Sequence, residues 1–410
     1  MGRLILCVMT LVIAGTAPAQ HWPRFRGPNG SGVSDSVLPT TWTDKDYRWQ
    51  VKLPGPGHSS PIVWDDLVVV TSAADGKLSV LGLQVATGKM AFHRNFAAEP
   101  VKGHKDNSLA SATPAADAKH IYVAWGGPKE VVLLALKHNG TEAWHQNLGP
   151  YRAGHGFGNS PIVHDGLVFL ACEHEGKDCI VAIDADSGEL RWRAPRKSRN
   201  TYATPCIYQA PGRSHELIAV SYEDGITAIN LKTGKLNWSV DVFDKRHVEG
   251  AIASPIVHRD LVFGSAGWLS VRYETIAVRP QLGKAAKIEP AFKVDRGVGL
   301  VPTPIAHGDL LFFWDDRGMV SCCDAKAGEN YWRERTEGSF YASPVIAGKH
   351  LYCPSRDGSM FVLSASKKFE QVARIRLGED TNATPAIAGG RMFIRTLTQL
   401  KCIEGRSLKR

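Results

Sequence analysis

Ser160-Pro161-Ile162-Val163, Leu167-Val168-Phe169-Leu170, Cys179-Ile180-Val181-Ala182-Ile183-Asp184, Ser187-Gly188 and Glu189-Leu190-Arg191-Trp192 together spell out one structural unit. Three apolar, β-branched runs and a fourth ending in a large aromatic are separated by turn residues, which is the pattern of four short antiparallel strands. The unit recurs. A Ser-Pro or Thr-Pro pair precedes an apolar run at Pro61, Pro114, Pro161, Pro205, Pro255, Pro304, Pro344 and Pro385. The spacing averages about 46 residues, the period of a four-stranded propeller blade. Segments with a convincing helical period are missing from the sequence, so helical repeats of similar length fit poorly.

Between the third and fourth strands a Thr-Gly, Ser-Gly or Ala-Gly step stands at Gly88, Gly188, Gly234 and Gly328, where a tight hairpin needs positive φ. Four residues later come Phe92, Trp192, Trp238 and Trp332. A ring at one fixed place on each outermost strand is what packing of neighbouring blades demands, in preference to a stacking platform for a ligand.

The chain ends supply the closure. The eighth copy, Thr384 to Glu404, provides three strands and lacks a fourth, while Arg48-Trp49-Gln50-Val51-Lys52-Leu53 reads as a fourth strand without its first three. Joined, they complete one blade and hide two sheet edges. The predicted fold is therefore all-β, an eight-bladed β-propeller of four-stranded antiparallel blades over residues 48–404, closed by an N-terminal strand. Residues 20–47, with the turn-rich Phe25-Arg26-Gly27-Pro28-Asn29-Gly30-Ser31-Gly32, are expected to form a lead-in packed outside the ring, and residues 405–410 a flexible tail. The fifth copy lacks the Thr-Gly step after Val278, which predicts an irregular blade from Ser254 to Val294.

The chain has 410 residues, 43% hydrophobic and 22% charged, which excludes a disordered or disulfide-stapled miniature. Arg3, the apolar run Leu4 to Ala14 and Ala17-Pro18-Ala19 read as a signal peptide cleaved after Ala19, so export to a periplasmic or extracellular location is expected. The net charge of +9 comes from scattered lysines and arginines, so neither a nucleic-acid partner nor a membrane span is expected, and a monomer is.

Ala182-Ile183-Asp184-Ala185-Asp186-Ser187-Gly188-Glu189-Leu190-Arg191-Trp192 resembles the signature of PQQ-like (pyrroloquinoline quinone) propeller repeats, and the resemblance spans residues 48–404. Trp22-Pro23-Arg24-Phe25-Arg26-Gly27-Pro28 and Pro54-Gly55-Pro56-Gly57-His58-Ser59-Ser60-Pro61 are similar to a secreted bacterial subgroup of that family. The resemblance implies two branches: quinoprotein dehydrogenases holding PQQ and calcium on the propeller axis, and non-catalytic envelope proteins of the BamB type. Fold alone does not choose between them.

If the Ser/Thr-Pro strand is innermost, the residues just before each pair line one mouth of the axial channel. These are His58, His104, Asn107, His155, Asn159, Tyr202, His247, Glu249, Arg296, Tyr341, Asp380 and Asn382, a convergence of polar groups suited to a binding site. The four histidines belong to different loops, so no metal set is assigned. Glu249, Asn107, Asn159 and Asp380 offer oxygen atoms to a calcium ion, but nothing selects a set among them. Cys322-Cys323 resembles the vicinal disulfide of quinoprotein alcohol dehydrogenases, yet it falls on a third strand where successive side chains point to opposite faces, and this favours a structural role. Cys-x-x-Cys-His, the haem attachment motif, is absent from the sequence. Cys172 and Cys179 face each other across a hairpin and form a candidate disulfide, with two buried thiols as the alternative. No catalytic set is assigned. The leading expectation is an exported module that binds a ligand or protein at the loop-rich mouth. The alternatives are a PQQ- and calcium-dependent oxidoreductase and an envelope assembly scaffold.

Overall fold

In the computed structural model the Ser/Thr-Pro pairs lead into eight innermost strands: Ile62–Trp64, Ala115–Ala116, Ile162–His164, Cys206–Tyr208, Ile256–His258, Ile305–His307, Val345–Ala347 and Ala386–Ala388. The structure describes residues 21–99, 103–174, 178–197, 201–209, 212, 214–243, 250–268, 272–280 and 288–405. The signal peptide, His247 and Glu249 lie outside these residues, as does nearly all of the C-terminal tail. Each innermost strand begins an antiparallel sheet running outward, and there are eight such sheets. Blade 3 is typical, with strands Ile162–His164, Leu167–Cys172, Cys179–Asp184 and Leu190–Pro195 in spatial order. Blade 5 keeps four strands, the last being Pro290–Val294, so the sheet forms without the Thr-Gly step.

Blade 8 is closed from the other end of the chain. Tyr47–Lys52 pairs antiparallel with Gln399–Glu404, placing Trp49 opposite Cys402 and Val51 opposite Leu400. The same seam is fastened nearer the axis by Arg395, fully buried in blade 8. Its Nη1 donates to Ser59 O, Ser59 Oγ and Thr71 O of blade 1.

Both faces of a middle strand are buried, each against a different neighbour. In blade 3, Val168, Leu170, Val181 and Ile183 pack toward Leu133, Ala135 and Trp144 of blade 2, while Phe169, Ala171, Ile180 and Ala182 pack toward Ile207, Leu217 and Ala219 of blade 4. Cys322 and Cys323 divide in the same way between the two faces of blade 6 and are free thiols. The outer aromatics fasten blade to blade. Trp144 lies on the Gly188 hairpin of the next blade and donates its indole N–H to Ala185 O, and Trp192 does the same to Leu231 O beside Gly234. At Gly188 (φ 76°) a Cβ would stand 2.7 Å from the Trp144 ring, so the position needs glycine for its turn and for its contact. Trp238 faces the blade without the glycine step and turns its N–H to Glu216 in its own blade.

Nearest the axis, the pairs form a belt. The backbone N–H of each Ser or Thr donates to the hydroxyl of the next: Ser60 to Thr113, Thr113 to Ser160, Thr204 to Ser254, Ser254 to Thr303, Thr303 to Ser343, Ser343 to Thr384, and Thr384 back to Ser60, all at 2.9–3.1 Å. The step from blade 3 to blade 4 is bridged by Asn159 Nδ2 on Thr201 O at 2.8 Å.

The lead-in corrects the sequence reading, for it crosses the axis and does not pack outside the ring. Trp22 exchanges backbone hydrogen bonds with Val63, and Pro23 O accepts from Ala116 N. Arg24 Nη2 donates to Pro205 O at 2.6 Å, the Asn29 side chain makes two bonds to Ile207, and Arg26 Nη2 reaches Pro344 O. Val33–Ser34 then adds a fifth, parallel strand inside Val345–Ala347. Innermost strands have no sheet partner on their channel side, and this tract supplies one.

Cys172 and Cys179 oppose each other in the ladder as expected, but both are free thiols, and the Cys179 sulfur accepts a hydrogen bond from Arg193.

The hydroxyl belt makes a measurable claim. Ser343→Ala leaves the buried N–H of Thr303 without its acceptor and is expected to cost about 1–3 kcal/mol in urea unfolding. A loss within error of zero would show that the belt carries no stability.

Candidate functional site

A propeller strand that starts at one face of the disc ends at the other, so two kinds of loop share the mouth: the entry to each innermost strand and the turn between the second and third strands. Together they enclose a cavity of about 650 Å³, within the range of small-ligand pockets. All eight belt residues, from Ser60 to Thr384, line it. Phe25 of the lead-in also lines it, so the channel is obstructed from the far side and forms a cup.

His58, His104, Asn107, His155, Tyr202, Tyr341 and Asn382 line the cavity as expected. Asn159 does not, because its side chain is buried and turned sideways to Thr201. Nor does Arg296, which sits exposed before a longer entry loop in which Leu300 and Val301 form the wall. Asp380 is absent from the lining, its carbonyl accepting from Leu397 N. The expectation missed Phe25, Asp106, Ser111, Tyr222 and Glu223. Tyr222 and Glu223 occupy the turn between Glu216–Ser221 and Gly225–Asn230. Strand parity places that turn at the same mouth, and counting strands from each Ser/Thr-Pro pair would have found them.

The entry loop of blade 2 reaches over the mouth to two other blades. His104 N and Asn107 Nδ2 both donate to His155 O, Ser111 Oγ donates to Asn107 Oδ1, and the His104 and His155 rings lie 5.8 Å apart. His155 in turn meets Tyr202 edge-on at 6.4 Å. Asp106 reaches blade 7, where Arg356 Nη2 donates to its Oδ1 at 2.5 Å while the guanidinium covers the Tyr341 ring at 4.2 Å. A loop of one blade is thus strapped to a blade three positions away, with an ion pair drawn across the opening.

Burial shapes the chemistry of the lining. The Tyr202 phenol is pushed up to about 12, chiefly by burial, so it stays a neutral hydroxyl. His58 is held down to about 4, first by burial and then by the Arg395 guanidinium behind it, with Asp106 opposing. Its Nδ1 is buried without a hydrogen-bond partner. Among the described residues, no lysine or arginine lines the cavity, and its two carboxylates are Asp106, already held by Arg356, and Glu223.

Among the described residues, the three carboxylates of PQQ would meet no lining lysine or arginine, while calcium would find hydroxyl and amide oxygens with one uncommitted carboxylate, Glu223. The free thiols of Cys322 and Cys323 sit in the core of blade 6, away from the lining.

Comparisons with known proteins agree on the fold. Residues 128–291 and 287–396 match the family described as "Outer membrane protein assembly factor BamB". The Yersinia pestis protein of that name is 21% identical over 335 residues, covering 71% of this chain and 81% of the relative. BamB from Moraxella catarrhalis superposes with a TM-score of 0.64 at 14% identity, covering 90% of this chain and all of that one. A europium-containing methanol dehydrogenase superposes at 0.55 with 11% identity, covering 93% and 90%. Quinohemoprotein alcohol dehydrogenase from Comamonas testosteroni superposes at 0.51 with 12% identity, covering 97% and 82%. Among the described residues, no helix is long and apolar enough to cross a membrane.

The neutral His58 gives the site a pH signature. The unfolded chain takes up its proton near 6.5, whereas the folded chain resists until about 4. The stability it contributes is therefore complete above 6.5 and lost as pH falls toward 4. Between pH 7 and 5 the wild type is expected to lose about 2 kcal/mol more than His58→Gln. Equal losses in urea melts of the two proteins would refute this.

Proposed function

Because this chain belongs to the family of the outer membrane protein assembly factor BamB, we propose that it is an exported, non-catalytic binding module whose ligand sits in the axial cup. One observation carries the reading: a blind cavity walled by the eight Ser and Thr residues of the belt and Ser111, by Tyr202, Tyr222 and Tyr341, and by neutral His58. A hydroxyl that accepts a backbone N–H keeps one proton to donate, so the belt offers a circle of donors to whatever enters. Tyrosine faces beside such donors suit a neutral, hydroxyl-rich ligand of the saccharide type. An anionic ligand is disfavoured by the absence of lining cations among the described residues. Export is supported by the signal-like segment ahead of the lead-in.

Family membership supports a second reading, an envelope scaffold that grips another protein. An assembly surface of that kind calls for a contiguous apolar patch. Among the described residues, the large exposed apolar side chains are instead scattered, Val37 on the lead-in and Met90, Leu190, Leu236 and Tyr331 on the outermost strands of four different blades. For this reason the cup is preferred to the rim.

A glycan array of neutral oligosaccharides followed by calorimetry on the full chain is expected to show one saturable site, weakened by about tenfold or more in His155→Ala and Tyr202→Ala. Stoichiometric uptake of PQQ with calcium, accompanied by dye reduction, would overturn the non-catalytic reading. Capture of one envelope protein at full strength by both variants, without glycan binding, would favour the scaffold.

A further inference from the structure

On the opposite face of the disc, at the seam between blades 3 and 4, three side chains converge that no role described above uses. His164 ends the innermost strand Ile162–His164, and Asp165 occupies the tight turn that follows, in left-handed conformation (φ 48°) with Gly166 (φ 73°). His215 stands directly before Glu216–Ser221, the second strand of blade 4. His164 Nε2 and His215 Nδ1 point at each other 2.8 Å apart. The two Asp165 carboxylate oxygens lie 3.5 Å from one nitrogen each.

We infer that His164, Asp165 and His215 form a binding site for a divalent transition metal, of the zinc, cobalt or nickel class, that staples blade 3 to blade 4.

The triangle of ligand atoms is the argument. For metal bonds of about 2.0–2.1 Å, tetrahedral geometry separates ligand atoms by about 3.3 Å and octahedral geometry by about 3.0 Å. The two nitrogens stand 2.8 Å apart, and each lies 3.5 Å from a different oxygen of Asp165, Oδ1 for His164 and Oδ2 for His215, distances that straddle those values. Without a metal the two imidazoles share one N–H···N hydrogen bond at 2.8 Å, whereas the Asp165 oxygens, at 3.5 Å, lie beyond the roughly 2.8 Å at which a carboxylate accepts from an imidazole N–H. The equivalent residue of blade 5 shows ordinary structural use: His258 Nε2 bonds Gly308 O of the next blade at 2.8 Å. Blade 3 replaces that carbonyl with a second imidazole and a carboxylate.

The donor set chooses the metal. Two imidazoles and one carboxylate suit borderline cations, whereas calcium and magnesium call for oxygen. Arg24, the nearby cation, spends its hydrogen bond on Pro205 O, although its charge is still felt at His164, where the Asp165 carboxylate opposes it. Asp165 is largely solvent-exposed, which leaves coordination positions for water or an exogenous ligand. The placement also has structural sense, because this is the seam where Asn159 replaces the hydroxyl step of the belt.

The test uses the full-length protein stripped with chelator and titrated with zinc chloride against a chromophoric competitor, with cobalt as the spectroscopic probe. One equivalent of zinc per chain, visible cobalt absorption of low-coordinate intensity and a raised melting temperature are expected. His164→Gln and His215→Gln should each weaken uptake by about tenfold or more. Asp165→Asn, which keeps a residue tolerant of the left-handed turn, should weaken it while melting like wild type without metal. Absence of saturable uptake would overturn the site, as would uptake unchanged in the two histidine variants, which would move the metal to the cavity histidines. Absence of uptake leaves the ligand proposed for the cup untouched.

Discussion

Each innermost propeller strand has a sheet neighbour on one side only, and the N–H groups that enter it face a channel where nothing regular can pair with them. In this protein the Ser/Thr-Pro pair resolves that difficulty. Proline removes one donor, and the residue before it gives its N–H to the hydroxyl of the following blade while lending its own hydroxyl to the preceding one. The belt fixes the angle and distance between blades at the axis, and the tryptophans on their glycine hairpins fix them at the rim. Between these two circles of contacts the sheets have little freedom to slide, so the β-branched cores of adjacent blades meet in one register. The same hydroxyls then form the wall of the cup, so the chemistry of the site follows from the constraint that closes the fold.

The lead-in turns a channel into a cup. Its buried Arg24 and Arg26 reach carbonyl groups at the innermost strands of blades 4 and 7, the Asn29 side chain pairs with both backbone groups of Ile207, and Trp22 and Pro23 pair with the backbones of Val63 and Ala116 in blades 1 and 2. Burial lowers Arg24 to about 10 and Arg26 to about 9, which leaves both cations intact at neutral pH. Their charge is spent beneath the floor, while the lining above remains free of lysine and arginine among the described residues. The fold is shared with a europium-containing methanol dehydrogenase and a quinohemoprotein alcohol dehydrogenase, and fold alone does not carry their chemistry to this cup.

Much of the architecture was legible because its causes are local or periodic. Pro61 to Pro385 mark the period, Gly188 and Gly234 mark hairpins, and Arg48 to Lys52 read as a strand seeking a sheet. The opposite orientations of Cys322 and Cys323 follow from strand alternation alone. The site was legible in part. His58, His104, His155 and Tyr202 stand in the entry loops just before a Ser/Thr-Pro pair, whereas Tyr222 and Glu223 reach the same cavity through a turn that bears no motif. Asn159 obeys the positional rule and still misses the cavity, because the blade 3 to blade 4 step takes its amide sideways.

By itself, the order of residues determined the number of blades, the strands within them and the joining of the two chain ends, since each depends on pairing between segments whose pattern repeats. Only the folded molecule decided where the non-repeating pieces go. The lead-in, the Asp106 to Arg356 strap and the meeting of His164 with His215 join residues from different blades or from outside the repeat. Such contacts obey no period. They arise when closure of the ring brings distant loops within hydrogen-bonding distance, and a linear pattern carries no record of that proximity.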